Sequence, residues 1–484
     1  MSTVTDASPA RVGDRRAWWR DVGVLALVTI ALRVAGFLAS RHLTFDDGQY
    51  GAVVLGLRDG DAPFRDLFSS QGPLFYPLLW AADLVGLRTL DGPRVLSMAS
   101  GVVAAGAAYA IARRLATRTG ALVAGLLVAT SGSVLFVTTG LSGDGPALAL
   151  ALTAVSLALR FRADPSLVRA GVTGLAMGAA CCVKLIVVPA AIPVGLALLA
   201  RRKWTDLGLA VGVAVGVFLA AALPWGLERV WDQSIAYHQE SERLRSYGGN
   251  AWTLVRTLAE RDPFVVAALS LSAATLLFGA RRGVHVVSDG RDGGEVPIRT
   301  AAWALGAWLA AQAAFLVAEP AMWRPHVSQV VAPLAVLAVL RPAPWRVIAV
   351  AVLVLGAWWV VNTDEMLFPG AYDRDEQAVV GRLRGLPDGA WVISDDPGFA
   401  WRTERRVPGN FVDVSQKRVQ QRQLTARVIA RAADDPRVCA VVVWSPARFG
   451  SLEALPARLA REGFEAVARY GGRRAVYERA DCAP

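Results

Sequence analysis

The chain has 484 residues, of which 54% belong to the set AVILMFWYC and 19% are charged, and its mean hydropathy is +0.40. These values exclude a disordered, collagen-like or disulfide-dense chain and a single soluble core, and they predict a polytopic α-helical membrane protein. Lys and Arg outnumber Asp and Glu by 51 to 40. Most of these cations flank apolar runs or lie in a mixed-charge tail, so they indicate membrane topology and no nucleic acid partner.

The N-terminal segment leads into the first predicted transmembrane helix. Four arginines between residues 11 and 20 precede an apolar stretch that runs to Ser40, as in a secretory signal. Cleavage near Ala39 would place Phe37 where a small residue belongs. We therefore predict a cytoplasmic segment at 1–20 and a retained first helix.

Basic clusters place the rest of the membrane part, because positive residues favour the cytoplasmic side. The short run 73–87 begins with Pro73 and is broken again at Pro77. If it crossed fully, later clusters would fall outside, so we predict juxtamembrane helices within a long first outer loop, 41–90, that lines a cavity. The clusters lie at 11–20, 113–118, 160–169, 201–203, 281–299 and 341–346.

About eleven transmembrane helices are predicted within residues 21–361. The stretch 170–200 supplies only about 46 Å of helix, whereas two full spans need about 60 Å. We predict two short helices that meet at Lys184; one tilted helix is the alternative, and it would place the C-terminal tail inside. After the first helix the crossings are predicted at 91–112, 120–139, 144–160, 170–183, 185–200, 205–224, 263–280, 300–318, 327–340 and 345–361.

Residues 362–484 change to a mixed-charge composition that predicts a small soluble α/β domain. An odd number of crossings makes this domain extracytoplasmic. Cys439 and Cys482 both fall within it, where an oxidising setting permits a disulfide without requiring one. The predicted elements are strands at 391–394 and 439–444, a polar helix at 416–432 and a hairpin at 464–477.

Acidic residues mark the outer side. Asp46 and Asp47 follow the first helix, and two adjacent carboxylates can bind a divalent cation such as Mg²⁺ or Mn²⁺, or hold a base toward a hydroxyl. Adjacent acids are also common loop residues. Asp144 opens an apolar helix, where an N-cap explains it equally well.

Several cations suggest an anion site. Lys184 lies within an apolar stretch, where an ionisable group is costly unless it is paired or hydrated. Arg324 and His326 open a late helix from the outer side. Arg and Lys both suit phosphate, which indicates a site for an anionic lipid head group whose chain stays in the bilayer. His238 lies in the outer loop 226–262, and we interpret its surroundings as a solvated face or an acceptor contact.

The order of these motifs resembles a known family. After the first helix comes Asp46-Asp47-Gly48-Gln49-Tyr50, and then Gln71-Gly72-Pro73-Leu74-Phe75-Tyr76, which is similar to a Lys-Pro-Pro-Leu-x-Tyr segment. A Gly-rich helix ending at Lys184 and a late His/Pro helix starting at His326 follow. Over most of residues 20–340 the chain resembles membrane glycosyltransferases of the C-type fold, closest to the protein O-mannosyltransferases and lipid A aminoarabinose transferases.

The resemblance implies roles for individual positions. Asp46 would be the catalytic carboxylate, with Asp47 and Asp144 supporting it or contacting a metal. Gln71 stands where the family has Lys, Gly72 where it has Pro and Asp47 where it has Glu, so contacts in that loop differ. The positions expected to bind substrate are Tyr50, Tyr76, Lys184, Arg324 and His326.

The implied reaction moves a sugar from a polyprenyl-phosphate donor to a hydroxyl on a cell-envelope protein, glycolipid or polysaccharide. Fixed cations would stabilise the leaving phosphate while Asp46 activates the acceptor from the opposite face, which predicts inversion. The expected location is the outer side of the plasma (inner) membrane. A secondary transporter or lipid flippase is the alternative, although no paired repeats are evident; a non-catalytic scaffold is a third.

Overall fold

The computed structural model describes residues 9–200, 203–239, 242–279, 298–320, 322–340, 344–368 and 372–482. The predicted basic clusters at 201–203, 281–299 and 341–346 fall partly or wholly outside these ranges. Within them the chain is mainly helical, as its apolar runs predict.

Ten helices form the first part of the chain. Thr44 begins the third of them by accepting a hydrogen bond from the backbone N–H of Asp47, which fixes the two acids in its first turn. The helices are α1 Pro9–Ala31, α2 Val34–Phe37, α3 Phe45–Arg58, α4 Phe75–Val85, α5 Val95–Ala112, α6 Arg118–Thr130, α7 Gly132–Thr139, α8 Asp144–Ala163, α9 Leu167–Val183 and α10 Ala191–Leu199.

Eight further helices complete the predicted membrane part. Single 3-10 turns at Leu185–Ala190 and Arg324–Val327 connect helices at positions that matter for the site. The helices are α11 Trp204–Ala222, α12 Leu227–Trp231, α13 Tyr237–Gln239, α14 Tyr247–Arg261, α15 Pro263–Gly279, α16 Ile298–Ala318, α17 Ser328–Ala338 and α18 Trp345–Leu367.

The predicted count of eleven crossings is not confirmed. Five helices of the described chain are long and apolar enough to span a membrane, or six if α6 and α7, bent by 58°, form one span. The bend arises because Ser131 caps a new helix by accepting from the N–H of Val134. Its hydroxyl also donates to the buried carboxylate of Asp262, so the predicted crossing 120–139 is two helices.

Helices α9 and α11 approach closely through small residues. A Cβ atom on Gly174 would clash with the backbone of Ala210, and one on Gly178 would meet Ala214. Small residues at such contacts allow helix backbones to pack tightly where apolar burial gives no driving force. This packing fixes the end of α9, where Lys184 adopts extended backbone.

The C-terminal part contains a four-stranded mixed sheet in the order β1-β2-β4-β3, with β1 and β2 parallel and the other pairs antiparallel. Cys439 and Cys482 form a disulfide. The predicted helix at 416–432 is split, because Arg422 has a φ of 57°. The elements are α19 Arg374–Arg384, β1 Trp391–Ser394, α20 Pro397–Arg402, α21 Gln416–Gln420, α22 Ala426–Ala433, β2 Val438–Val443, α23 Leu455–Arg461, β3 Phe464–Arg469 and β4 Ala475–Arg479. That residues 362–484 form a separate extracytoplasmic domain stays a prediction.

Helix α20 packs directly on α3 in the first outer loop. A Cβ on Gly51 would overlap the Trp401 ring. Arg402 donates to the carbonyl of Arg41 at 2.7 Å and pairs with Asp91 at 2.8 Å. The C-terminal part is therefore held against the loop that carries the acid pair.

Candidate active site

The two adjacent acids have different environments. Asp47 is fully buried, and its carboxylate forms an ion pair with Arg94, with 2.5 Å between Oδ2 and Nη2. Burial acts to raise the pKa of Asp47, but the charge and hydrogen bonds of Arg94 outweigh it, so the pKa is lowered. Asp47 is a charged anchor that holds the start of α3.

A metal ion does not fit Asp47 in this arrangement. Its Oδ1 accepts from Arg94 Nε and from the N–H of Leu141, and its Oδ2 accepts from Arg94 Nη2 and from the N–H of Leu43. Each oxygen has two donors, which leaves no lone pair for a cation. Among the described residues no group of three or more His, Cys, Asp or Glu side chains could hold a metal. A cation at Asp46 stays a prediction.

Asp46 is half-buried, and its carboxylate is free to accept hydrogen bonds. No described residue donates a hydrogen bond to its carboxylate or forms an ion pair with it. Burial raises its pKa to about 6; the charge of Lys184 acts in the opposite direction, and the charges of Asp144 and Asp413 add to the rise. A carboxylate with free lone pairs and a pKa near neutrality suits a general base.

Lys184 and Asp144 form an ion pair between two helix ends. The ammonium lies 2.7 Å from Oδ2 of Asp144. The N-cap alternative for Asp144 is wrong: Gly143 is the N-cap, and Asp144 is the first helical residue with its carboxylate turned to Lys184 and to the Ser142 hydroxyl. Its Oδ1 is buried and has no partner in the described chain. Asp144 therefore positions Lys184.

His326 and Arg324, the two candidate phosphate-binding residues near the start of α17, have different surroundings. His326 is buried, and Lys184 and Asp144 lie within electrostatic range of its ring. Its Nδ1 has no partner among the described residues. Arg324 is partly exposed and pairs with Glu260 at 3.5 Å. The structure thus brings His326 close to the ion pair of Lys184 and Asp144. Arg324 instead pairs with Glu260, which does not belong to that ion pair.

The two tyrosines of the motifs are both buried. The Tyr76 hydroxyl accepts from the backbone N–H of Gln71 at 3.1 Å, so it shapes the loop rather than facing open space. Tyr50 packs against Phe75 with ring centroids 4.8 Å apart. Asp46 and Asp144 lie within electrostatic range of Tyr50, so Tyr50 remains a candidate for substrate contact.

Two residues that were not predicted as site residues also lie near Lys184. Lys417 on α21 is buried, and its ammonium lies 3.5 Å from Nδ1 of His238. The ring of His238 bonds through Nε2 to the carbonyl of Ser70 at 2.9 Å. Burial and the Lys417 charge lower the pKa of His238 to about 4, so the ring is neutral and its Nδ1 accepts. His238 is partly exposed, and each of its ring nitrogens has a partner in the described chain; its interpretation as part of a solvated face or an acceptor contact stays a prediction.

One signal in the sequence pointed to Lys417. The chain contains only three lysines, at positions 184, 203 and 417, among its 51 basic residues. Two of the three meet at this site. Lysine is a compact point charge, whereas arginine is the default cation elsewhere in this chain.

An apolar groove of 690 Å³ runs between the 3-10 turn Leu185–Ala190, α10 and α16. One wall begins at Val188, within the 3-10 segment that follows Lys184, and the other ends at Ala318, next to Glu319. The groove is therefore formed by segments that directly adjoin Lys184 and Glu319 in the chain. Its lining residues are Val188, Pro189, Ala191, Ile192, Ala311, Ala314, Phe315 and Ala318.

Comparisons with known proteins identify the fold. Residues 70–227 match the family model of the dolichyl-phosphate-mannose-protein mannosyltransferases. The crystal structure of ArnT from Cupriavidus metallidurans in the apo state matches with a TM-score of 0.64 at 15% identity, over 97% of this chain and 99% of that one. This chain has the C-type fold of the membrane glycosyltransferases. The resemblance predicted from the sequence is confirmed.

Two further structures share the C-type fold. ArnT from the same organism bound to undecaprenyl phosphate matches with a TM-score of 0.62 at 15% identity, over 99% of this chain and 100% of that one. The archaeal oligosaccharyltransferase AglB from Archaeoglobus fulgidus, in complex with an inhibitory peptide and a dolichol-phosphate, matches with a TM-score of 0.52 at 12% identity, over 96% of this chain and 74% of that one. No curated protein matches the chain.

Proposed function

We propose that this C-type-fold protein is a glycosyltransferase that moves a sugar from a polyprenyl-phosphate donor to a hydroxyl of a cell-envelope acceptor, on the outer side of the plasma membrane. The observation that carries the proposal is the carboxylate of Asp46, which has no hydrogen-bonding partner in the described chain and lies within electrostatic range of Lys184. An apolar groove whose lining begins at Val188, shortly after that lysine in the chain, supports it. The ArnT structure with bound undecaprenyl phosphate supports this class of donor.

The donor lipid would lie along the groove between α10 and α16. That groove is lined by apolar side chains, which suits a hydrocarbon chain whose phosphate must stop where charge begins. Lys184, which is 16% exposed at its side chain, is the group that meets the phosphate. Asp144 keeps the ammonium in place and charged, because it removes the cost of holding an unpaired cation there.

The transfer step needs one base and one stabilised leaving group. Asp46 accepts the proton of the acceptor hydroxyl as that oxygen attacks the anomeric carbon. The bond from this carbon to the phosphate oxygen breaks, its electron pair stays on the phosphate, and Lys184 stabilises the added charge. Attack from the face opposite the leaving phosphate inverts the anomeric centre.

Asp47 has a supporting role in this scheme. Its ion pair with Arg94 and its bonds to the backbone of Leu43 and Leu141 fix the first turn of α3, which carries Asp46. A catalytic base must be held in hydrogen-bonding geometry toward the proton that it removes. The neighbouring acid thus supplies rigidity and leaves Asp46 free.

The experiment is a transfer assay with purified full-length protein in proteoliposomes. Radiolabelled polyprenyl-phosphate hexose and pentose donors are supplied together with extracted envelope proteins, glycolipids and polysaccharides. We expect label in one acceptor class, and NMR of the product should give the anomeric configuration opposite to that of the donor. Transfer to none of the three classes contradicts the proposal, and gradient-driven uptake without transfer would favour a transporter.

A further inference from the structure

The C-terminal part brings a second lysine, which is buried, to the charged cluster that contains Lys184. Lys417 is only 8% exposed, although it belongs to the short helix α21, far along the chain from the first outer loop. In the described chain its ammonium has one hydrogen-bonding contact, with Nδ1 of His238 at 3.5 Å. Lys184 and Glu319 lie within electrostatic range.

Lys417 and Lys184 approach the same short segment of the first outer loop. His238 links Lys417 to Ser70, and the N–H of Gly72 donates to the carbonyl of Val183, the residue before Lys184, at 3.1 Å. Two ammonium groups this near to each other repel.

Burial and the neighbouring Lys184 lower the pKa of Lys417, while the charge of Glu319 acts in the opposite direction. Glu319 lies within electrostatic range of both lysines, whereas Asp144 pairs directly with Lys184 alone. Lys417 has no carboxylate paired directly with its ammonium in the described chain. An anion entering between the two ammonium groups would replace repulsion with attraction, and phosphate matches such paired point charges.

The segment 69–77 of the first outer loop does not supply positive charge itself. Residues 69–77 contain neither Lys nor Arg. His238 connects Lys417 to this part of the loop, because its Nε2 contacts the carbonyl of Ser70 at 2.9 Å. The C-terminal part thereby places the ammonium of Lys417 next to the loop segment that contains Ser70.

We propose that Lys417 and Lys184 together hold the phosphate of the lipid donor, and that His238 is the positioning residue for Lys417. This inference rests on the proposed function and deepens it, since it makes the C-terminal part a component of the donor site. Deleting that part would then remove a donor contact as well as any contact to the acceptor.

The test measures binding of a prenyl phosphate without any transfer step. Full-length protein in nanodiscs is titrated with farnesyl phosphate, and intrinsic tryptophan fluorescence gives Kd. Lys417→Met is expected to raise Kd about tenfold, and Lys417→Arg to keep it within about threefold of the wild-type value. Arg427→Met is the matched control: it removes an exposed cation from the neighbouring helix α22 and should leave Kd unchanged.

Each other outcome is decisive. If Lys184→Met weakens binding but Lys417→Met and wild type bind equally, the role of Lys417 is overturned while the proposed function stands. If wild type does not bind farnesyl phosphate, both fall. Titration with inorganic phosphate separates the two sources of the same chemistry: equal affinity for it would mean a free-phosphate site and would overturn the lipid assignment.

His238 is tested by a double-mutant cycle. His238→Ala should raise Kd in the wild-type background and have no further effect in the Lys417→Met background, because its contribution acts through that ammonium. Independent, additive effects would contradict a positioning role. Thermal unfolding of each variant is recorded in the same nanodiscs, and a variant that unfolds early is replaced in the cycle by His238→Gln.

Discussion

The ammonium of Lys184 lies 2.7 Å from the carboxylate of Asp144 and joins the end of α9 to the start of α8. Removing one partner of a buried ion pair leaves the other charge unpaired, at a cost on the order of 3 kcal/mol. Lys184→Met should therefore lower the unfolding temperature, and adding Asp144→Asn should restore part of it. Sugar transfer should stay low in the single variant and in the double variant. Unfolding of Lys184→Met at the wild-type temperature would contradict a structural coupling of the two.

The neighbouring acids should behave differently when each becomes an amide. Asp47→Asn removes the charge that Arg94 needs in a fully buried setting, so it should lower the unfolding temperature. Asp46→Asn removes a half-buried charge without a hydrogen-bonding partner in the described chain, so it should unfold like wild type. Scanning fluorimetry in detergent compares the two isosteric variants directly. Equal destabilisation would argue against the division of roles.

The pH dependence of transfer follows from the pKa of about 6 at Asp46. A base works only when deprotonated, so kcat/KM should fall as the pH drops below about 6. The charge of Lys184 lowers this pKa, so Lys184→Met should shift the acidic limb to higher pH in addition to lowering the rate. Asp413 raises the pKa, so Asp413→Asn should shift the limb to lower pH. A limb that neither variant moves would indicate another titrating group.

The close approach of α3 and α20 predicts a steric effect at Gly51. A methyl group there would overlap Trp401, and overpacking of this kind typically costs about 1–3 kcal/mol. Gly51→Ala should loosen the C-terminal part, increase its cleavage by protease and reduce transfer. Gly106→Ala is the control, because a methyl at that helical position meets nothing within 4 Å. If protease cleaved both variants at the same rate as wild type, the contact between Gly51 and Trp401 would be contradicted.

Local patterns in the sequence account for much of the helical fold and for part of the site. Lys184 stands out because an unpaired cation is costly in an apolar stretch, and Asp46 because a family motif contains it. The partner of Lys184 was not predictable, since Asp144 lies 40 residues away and an N-cap explains an acid at a helix start. The bend at Ser131 interrupts a continuous apolar run, and the distant Asp262 that bonds to it leaves no local signal.

The contact between Lys417 and His238 joins residues 179 positions apart. No periodicity or motif connects them, because packing of the C-terminal part on the outer loop 226–262 brings them together. The split of the predicted helix at 416–432 also depends on a single backbone conformation, the positive φ of Arg422. Such a conformation carries a steric cost for a residue with a Cβ, so propensity alone does not predict it.

The central claim is that Asp46 is the base of a sugar transfer from a lipid phosphate. The most direct measurement compares the single-turnover rate of labelled sugar transfer by wild type and Asp46→Asn in proteoliposomes, together with the Kd of each for farnesyl phosphate. We expect the amide to slow transfer by about 10²-fold or more while the Kd stays within about threefold of wild type. Transfer by Asp46→Asn at the wild-type rate would contradict the account.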